Sequence, residues 1–224
     1  MPYLILGIKA LVRDGFRCIV TGLYDYRLQA QNTEVKQEVT DSSVATAFTE
    51  CVYIFPQSIA MIPSVESTDV MEFAISIWTI TAYLGFEDLP EKLVGNGIHT
   101  LENVMTLEAS FHIFFETLEI WFEVIVSGLG ILTPRTKGLQ DDQANTYTIR
   151  ARDNAMLRSC RDNPVTLTSQ HPDLPLPSPA FLAIRAACCR VANLSGATEY
   201  IEEMLDNMED IGVLAKGSLS TLVP

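Results

Sequence analysis

Apolar and polar positions alternate along this chain in two periods, and the period sorts it into elements. Leu4 to Arg13 reads as a short helix that stops at the turn pair Asp14-Gly15. Phe16-Arg-Cys-Ile-Val-Thr21 alternates and is rich in β-branched residues, which predicts a strand closed by Gly22. From Leu23 to Ser43 polar residues dominate with no apolar period, so a loop is expected. Strand character resumes between Thr46 and Pro56.

Further along, Ser67 is a candidate N-cap for a helix through Tyr83 that ends at Gly85, with apolar residues at 70, 73, 74, 77, 78 and 80 forming one broad stripe. This places Trp78 in a core. Asn103-Val-Met-Thr-Leu107 is a brief β-rich run. Thr106 is the expected N-cap of a helix over Leu107 to about Val126, whose Phe111, Phe114, Phe115, Leu118, Trp121 and Phe122 make it the hub of the core. Beyond a polar connector at 133–143, Tyr147–Ala151 and Val165–Thr168 read as two strands. A proline-rich link at 172–179 precedes a helix with Ser178 at N-cap and Pro179 at N1, closed by Gly196, and an acidic helix at about 198–208 follows.

Composition narrows the class. The chain has 224 residues and 48% hydrophobic content, enough to bury a core, so one large domain or a domain with an extension is expected. Five cysteines without a Cys-x-x-Cys pair point to reduced thiols and an intracellular setting, nucleus or cytoplasm undecided. Neither a signal peptide nor a membrane span is expected, because the longest charge-free apolar run, Phe73–Phe86, is too short and holds Ser76, Thr79 and Thr81. Net charge is −13: residues 1–130 carry 6 basic and 17 acidic residues, and residues 131–224 carry 9 and 11. Phosphate contacts from Lys and Arg dominate nonspecific nucleic-acid affinity, so any nucleic-acid groove must be local. Lys9, Arg13, Arg17 and Arg27 form one candidate patch; Arg135, Lys137, Arg150, Arg152, Arg158 and Arg161 form another, unless they are simply solvated surface.

The candidate chemistry sits near the centre of the chain. His112 and Glu116 are four residues apart and share a helix face. Spacing alone leaves two readings open, a metal site or a satisfied histidine beside a surface glutamate. An imidazole and a carboxylate so placed suit a divalent cation, Mg²⁺, Mn²⁺ or Zn²⁺, completed by water and a phosphate oxygen.

The surrounding residues carry a resemblance. Cys18-Ile-Val-Thr-Gly22, Tyr53-Ile-Phe-Pro56, Asn103-Val-Met-Thr-Leu107 and His112-Ile-Phe-Phe-Glu116 occur in the order of the elements of fungal HNH nuclease domains, which run Cys-x-x-Thr-Gly, His-Ile-x-Pro, Asn-x-x-x-Leu and His-x-x-Phe-Asp. The chain therefore resembles the HNH endonucleases of the ββα-metal superfamily. The C-terminal part, with Leu-Pro-Leu-Pro and Leu-Ser-Gly-Ala-Thr-Glu-Tyr, also resembles fungal HNH proteins.

The resemblance implies an α+β fold: a ββα-metal core with a helical insertion, then a C-terminal strand pair and two helices. It implies an HNH nuclease-like domain over 1–130, with the motif at about 16–123, and an extension over 131–224 packed on it. It implies a divalent metal on His112 and Glu116, and Asn103 as a residue that bridges backbone groups. Nucleic acid, DNA before RNA, would be the partner if the protein is active, and the C-terminal helices could dock a protein.

Two positions depart from the family pattern. Tyr53 stands where the family has its general-base histidine, and Glu116 where it has aspartate. A phenol with an ordinary pKa near ~10 is a poor base at neutral pH. The expected function is thus a metal-dependent endonuclease impaired in activating water; the alternative is a degenerate HNH-fold module that binds without turnover. His99, on the loop entering the second strand, is a substitute base or, more simply, a structural or phosphate-contacting residue.

Overall fold

The computed structural model describes residues 2–31, 33–42, 44–57, 82, 89–125 and 145–196, and these form a mixed helix and sheet fold. The first element is helix α1 (Pro2–Arg13), as its sequence predicts, and Gly15 with φ +68° turns the chain away from its end. Phe16–Thr21 is not the expected strand. Gly22 N–H donates to Cys18 O at 2.9 Å and the Cys18 thiol accepts from the amides of Val20 and Thr21, so local turn bonds win over extension. A single bridge, Arg17 to Tyr24, is all that remains of a ladder there.

The polar stretch that follows is helical rather than a loop. It holds β1 (Tyr24–Asp25), α2 (Tyr26–Gln31), α3 (Thr33–Ser42) and β2 (Thr46–Ala47), with β1 and β2 pairing in parallel. Val35 and Val39, one helical turn apart, bury with Tyr24 in a small satellite core. Two apolar residues in a polar background were too few to show as a period.

Strand β3 (Thr49–Tyr53) pairs antiparallel with β4 (Val104–Glu108), from Thr49 opposite Glu108 to Tyr53 opposite Val104. Ahead of β4 lie α4 (Leu89–Leu93) and two short 3₁₀ turns, Gly95–Ile98 and Leu101–Asn103. β4 then runs without a loop into α5 (Ala109–Glu116).

The long helix expected over Leu107–Val126 is therefore two elements. Thr106 lies within β4, and Glu108 is the N-cap, its carboxylate accepting from the Ser110 amide at 3.0 Å. The helix stops at Glu116; Leu118 turns at φ +61°, and β5 (Ile120–Val124) begins. Ile120 and Phe122 bury while Trp121 and Glu123 lie partly open, a period of two that aromatic abundance had masked.

β5 pairs antiparallel with β6 (Thr146–Ala151), which pairs with β7 (Val165–Thr166), so the expected C-terminal strand pair becomes a three-stranded sheet with a strand from the 1–130 segment. Asn163 joins these strands through two bonds to Ile149 at 2.9 Å. Helix α6 (Pro179–Ser195) packs across β5 and ends at Gly196 in the left-handed region, with Pro179 in its first turn as expected. Phe115, Phe122, Tyr147, Phe55 and Phe181 meet edge to face in the central core. Among the described residues no helix is long and apolar enough to cross a membrane. The helix expected at 67–83, with Trp78, lies outside the described residues except for residue 82, and the acidic helix at 198–208 lies wholly outside them.

One buried ion pair joins these parts. Arg13, wholly buried, donates to both carboxylate oxygens of Asp14 at 2.7 and 3.0 Å and to the carbonyls of Leu101, Val104 and Pro175 at 2.7, 2.9 and 3.2 Å. Asp14 in turn accepts from the Thr106 amide of β4 at 2.9 Å. Removing one partner of such a pair leaves an uncompensated buried charge and costs about 3–5 kcal/mol. Urea unfolding of Arg13→Met is expected to show a loss of that order, and Arg13→Met with Asp14→Leu to lose less than the two single variants added together.

Candidate functional site

The β3–β4 hairpin and α5 carry the candidate residues. Because β4 passes directly into α5, the first turn of the helix lies over the start of β3, where Glu50 stands opposite Leu107. His112 thus falls between two carboxylates. Its Nδ1 hydrogen-bonds Glu50 Oε2, and its Nε2 lies 3.0 Å from Glu116 Oε1.

Burial alone would lower the His112 pKa, but the hydrogen bonds and charges of Glu116 and Glu50 outweigh it and raise it to about 9. Hydrogen bonding to His112 is in turn the leading cause that holds both carboxyls below their ordinary range. At neutral pH the trio is carboxylate, imidazolium, carboxylate. Glu50 and Glu116 sit on opposite ring nitrogens, and among the described residues no three His, Cys, Asp or Glu donors converge on one point. His112 Nε2 and Glu116 Oε1 are two adjacent donors.

Tyr53 and His99 form a second pair. The Tyr53 hydroxyl lies 2.7 Å from His99 Nδ1, with the rings edge to face at 5.9 Å. If the phenol donates, Nδ1 accepts and Nε2 carries the proton; if Nδ1–H donates, Nε2 carries the free lone pair. Tyr53 shares a strand face with Cys51 and Val104 against α1, whereas Glu50 and Val52 belong to the alternate face, so the candidates assemble as two pairs.

Asn103 stands behind both. Fully buried, it accepts from the Phe55 amide at 2.9 Å and donates to the carbonyls of Phe55 and Ile98 at 3.1 and 3.0 Å. Its own carbonyl accepts from the Ile54 amide at 2.8 Å. One side chain thereby ties the segment after β3 to the turn that carries His99.

Two participants left no mark in the sequence. Glu50 lies 62 positions from His112, so nothing in its local pattern announces the contact. Arg185 reaches from α6, donating to Ile54 O at 2.8 Å and to Phe115 O, with its guanidinium 3.8 Å over the Phe115 ring. It thereby clamps the last turn of α5, at the negative end of the helix dipole. The buried Arg185 Nε has no hydrogen-bond partner among the described residues.

Most arginines of the basic patches have partners, while Lys9 and Arg158 lie exposed. Arg13 is buried, Arg17 lies over Tyr24 and Arg27 over Phe48, while Arg150, Arg152 and Arg161 meet Glu123, Glu119 and Asp162. Arg135 and Lys137 lie outside the described residues. A cleft of about 410 Å³ between the Cys18–Gly22 turn and residues 161–170 is bordered by Arg17 and Arg161. Compared with known proteins, the chain matches no family model, no curated sequence and no solved structure.

Two outcomes follow from this geometry. A histidine whose folded pKa stands above its unfolded value stabilises fully below the unfolded pKa and loses that contribution as pH rises through the folded one. Between pH 6.5 and about 9, the wild type is therefore expected to lose stability relative to His112→Gln. The loss is on the order of 1–2 kcal/mol once solvent around the exposed carboxylates is allowed for, and urea titrations across that range measure it. Asn103→Leu leaves buried backbone groups of Phe55 and Ile98 without partners and is expected to cost about 2–4 kcal/mol in the same assay.

Proposed function

We propose that this chain is an HNH-type, ββα-metal nuclease-like protein directed at nucleic-acid phosphodiesters, with its hydrolytic step impaired at the position of the general base. The observation that carries the reading is the antiparallel β3–β4 pair running directly into α5, which brings His112 Nε2 beside Glu116 while Asn103 braces the segment that follows Tyr53. The order Tyr53, Asn103, His112 along that unit is the order of the family's motif.

His112 and Glu116 fit two positions in the shell of Mg²⁺, Mn²⁺ or Zn²⁺, with one imidazole nitrogen and one carboxylate oxygen side by side. A cation there supplies Lewis acidity toward a phosphoryl oxygen. His112 must release its Nε2 proton to become a ligand, so metal binding is coupled to proton release. Asn103 holds the segment just past Tyr53 against the turn that carries His99. Tyr53 is a poor base at neutral pH, and its hydroxyl engages His99 through Nδ1. General-base catalysis is worth about 10²–10⁴-fold, and that is the size of the deficit.

A second reading, a module that binds without turnover, is favoured by a separate observation: both nitrogens of His112 are satisfied within the protein, and its arginines are largely paired. In that reading α6, whose Val191 and Leu194 are exposed, is the place for a protein partner.

Plasmid cleavage in Mg²⁺ or Mn²⁺ separates the two. The nuclease-like reading expects Tyr53→His to cut at least about 100-fold faster than wild type, and His112→Ala in that background to remove the gain. If all variants fold yet none cuts, the binding module stands.

A further inference from the structure

Glu50 is the one member of the carboxylate–histidine–carboxylate trio that neither spacing nor the motif assigns a role. It comes from β3, whereas His112 and Glu116 both come from α5. Its contact fixes two things at once. Glu50 Oε2 bonds Nδ1, and Nε2 is then the nitrogen presented to Glu116 at 3.0 Å. Nδ1 thereby carries a proton in every state that keeps the bond. The His112 side chain is 22% exposed and Glu50 45%, so the pair lies at the surface edge of the hairpin, open to an incoming ion but held from behind.

We propose that Glu50 is a positioning residue: by accepting the Nδ1–H of His112 it locks the imidazole's tautomer and rotation so that Nε2, beside Glu116, is the nitrogen available to a divalent cation. This rests on the nuclease-like reading of the His112–Glu116 pair. Histidine ligands in metal sites generally donate their second N–H to a carboxylate or carbonyl, which orients the ring and raises its basicity, and loss of that partner typically costs 10–100-fold in metal affinity. Here the partner arrives from a different element. Metal-ligand geometry on α5 would thus depend on the strand it packs against, and the hairpin and helix would bind metal only when docked together.

The experiment uses the full chain and two readouts. The first is the imidazole N–H spectrum by ¹⁵N-edited NMR without metal. The chain has three histidines, so His112 is assigned by its loss in His112→Ala. A hydrogen-bonded Nδ1–H is expected in wild type, retained in Glu50→Gln, which keeps an acceptor oxygen, and lost in Glu50→Leu. The second is Mn²⁺ and Zn²⁺ binding by calorimetry. Wild type is expected to bind, Glu50→Leu to bind about 10–100-fold more weakly, and Glu50→Gln to lie between them. Circular dichroism melting of each variant shows that it is folded.

Absence of the Nδ1–H bond in wild type, or equal metal affinity in wild type and a folded Glu50→Leu, overturns the proposal. Should wild type show the Nδ1–H bond yet bind neither metal, the metal reading of His112 and Glu116 fails. Glu50 and His112 are then a structural ion pair, and the positioning role is overturned with it.

Discussion

A guanidinium with no access to water has to spend every N–H on the protein, and Arg13 does so in a way that links distant parts of the chain. Its five donors reach the neighbouring Asp14 and the carbonyls of Leu101, Val104 and Pro175. Those carbonyls belong to the turn before β4, to β4 itself and to the segment before α6. Asp14 closes the circuit by accepting from the Thr106 amide. The end of α1, the second strand of the hairpin and the C-terminal part are therefore set relative to one another by the geometry of one planar cation. The hairpin that carries Glu50, Tyr53 and, through β4, His112 inherits that placement.

A second arginine does the same from the opposite side. Arg185 donates to Ile54, just past β3, and to Phe115, near the end of α5. Burial lowers its pKa, and the carbonyl dipoles at the helix C-terminus compensate in part for the missing carboxylate. The hairpin–helix unit is thus gripped between two desolvated cations, one on each flank. Neither arginine is available to a phosphate. Of the residues that looked like a nucleic-acid patch, Arg13 is thereby committed to the fold.

How much of this was legible in the sequence depended on whether the signal was local. Pro179 and Gly196 marked α6 because proline at N1 and a left-handed glycine act on their own backbone. The β4 run was legible from its short apolar, β-branched composition, and the β6 strand from its strand-like run at Tyr147–Ala151. The end of α5 was not, because it comes from Leu118 turning at φ +61°, a conformation that leucine does not advertise, and because the aromatics of β5 read equally well at helical spacing. The helices between Tyr26 and Ser42 were missed for the opposite reason, too few apolar residues to make a stripe. At the site, His112 and Glu116 were visible at i and i+4, and Asn103 came with the motif. Glu50 and Arg185 were not visible: a strand glutamate and a helix arginine acquire meaning only from partners 62 and 70 positions away.

The electrostatics of the trio sharpen what the protein can bind. Glu50, His112 and Glu116 together carry one net negative charge while His112 is protonated, in a half of the chain with 6 basic and 17 acidic residues. Exchange of the Nε2 proton for a divalent cation brings the trio and its ion to a net charge of zero, so the field of the surrounding acidic residues favours the exchange. The same field opposes the approach of a polyanion, and Arg150, Arg152 and Arg161 each meet a carboxylate. In the proposed reading, metal affinity and nucleic-acid affinity would therefore be set against each other by one charge distribution. In the nuclease-like reading proposed above, a cation held by His112 and Glu116 would relax that conflict locally by giving a phosphate a positive contact point, so phosphate recognition would depend on occupancy of the pair.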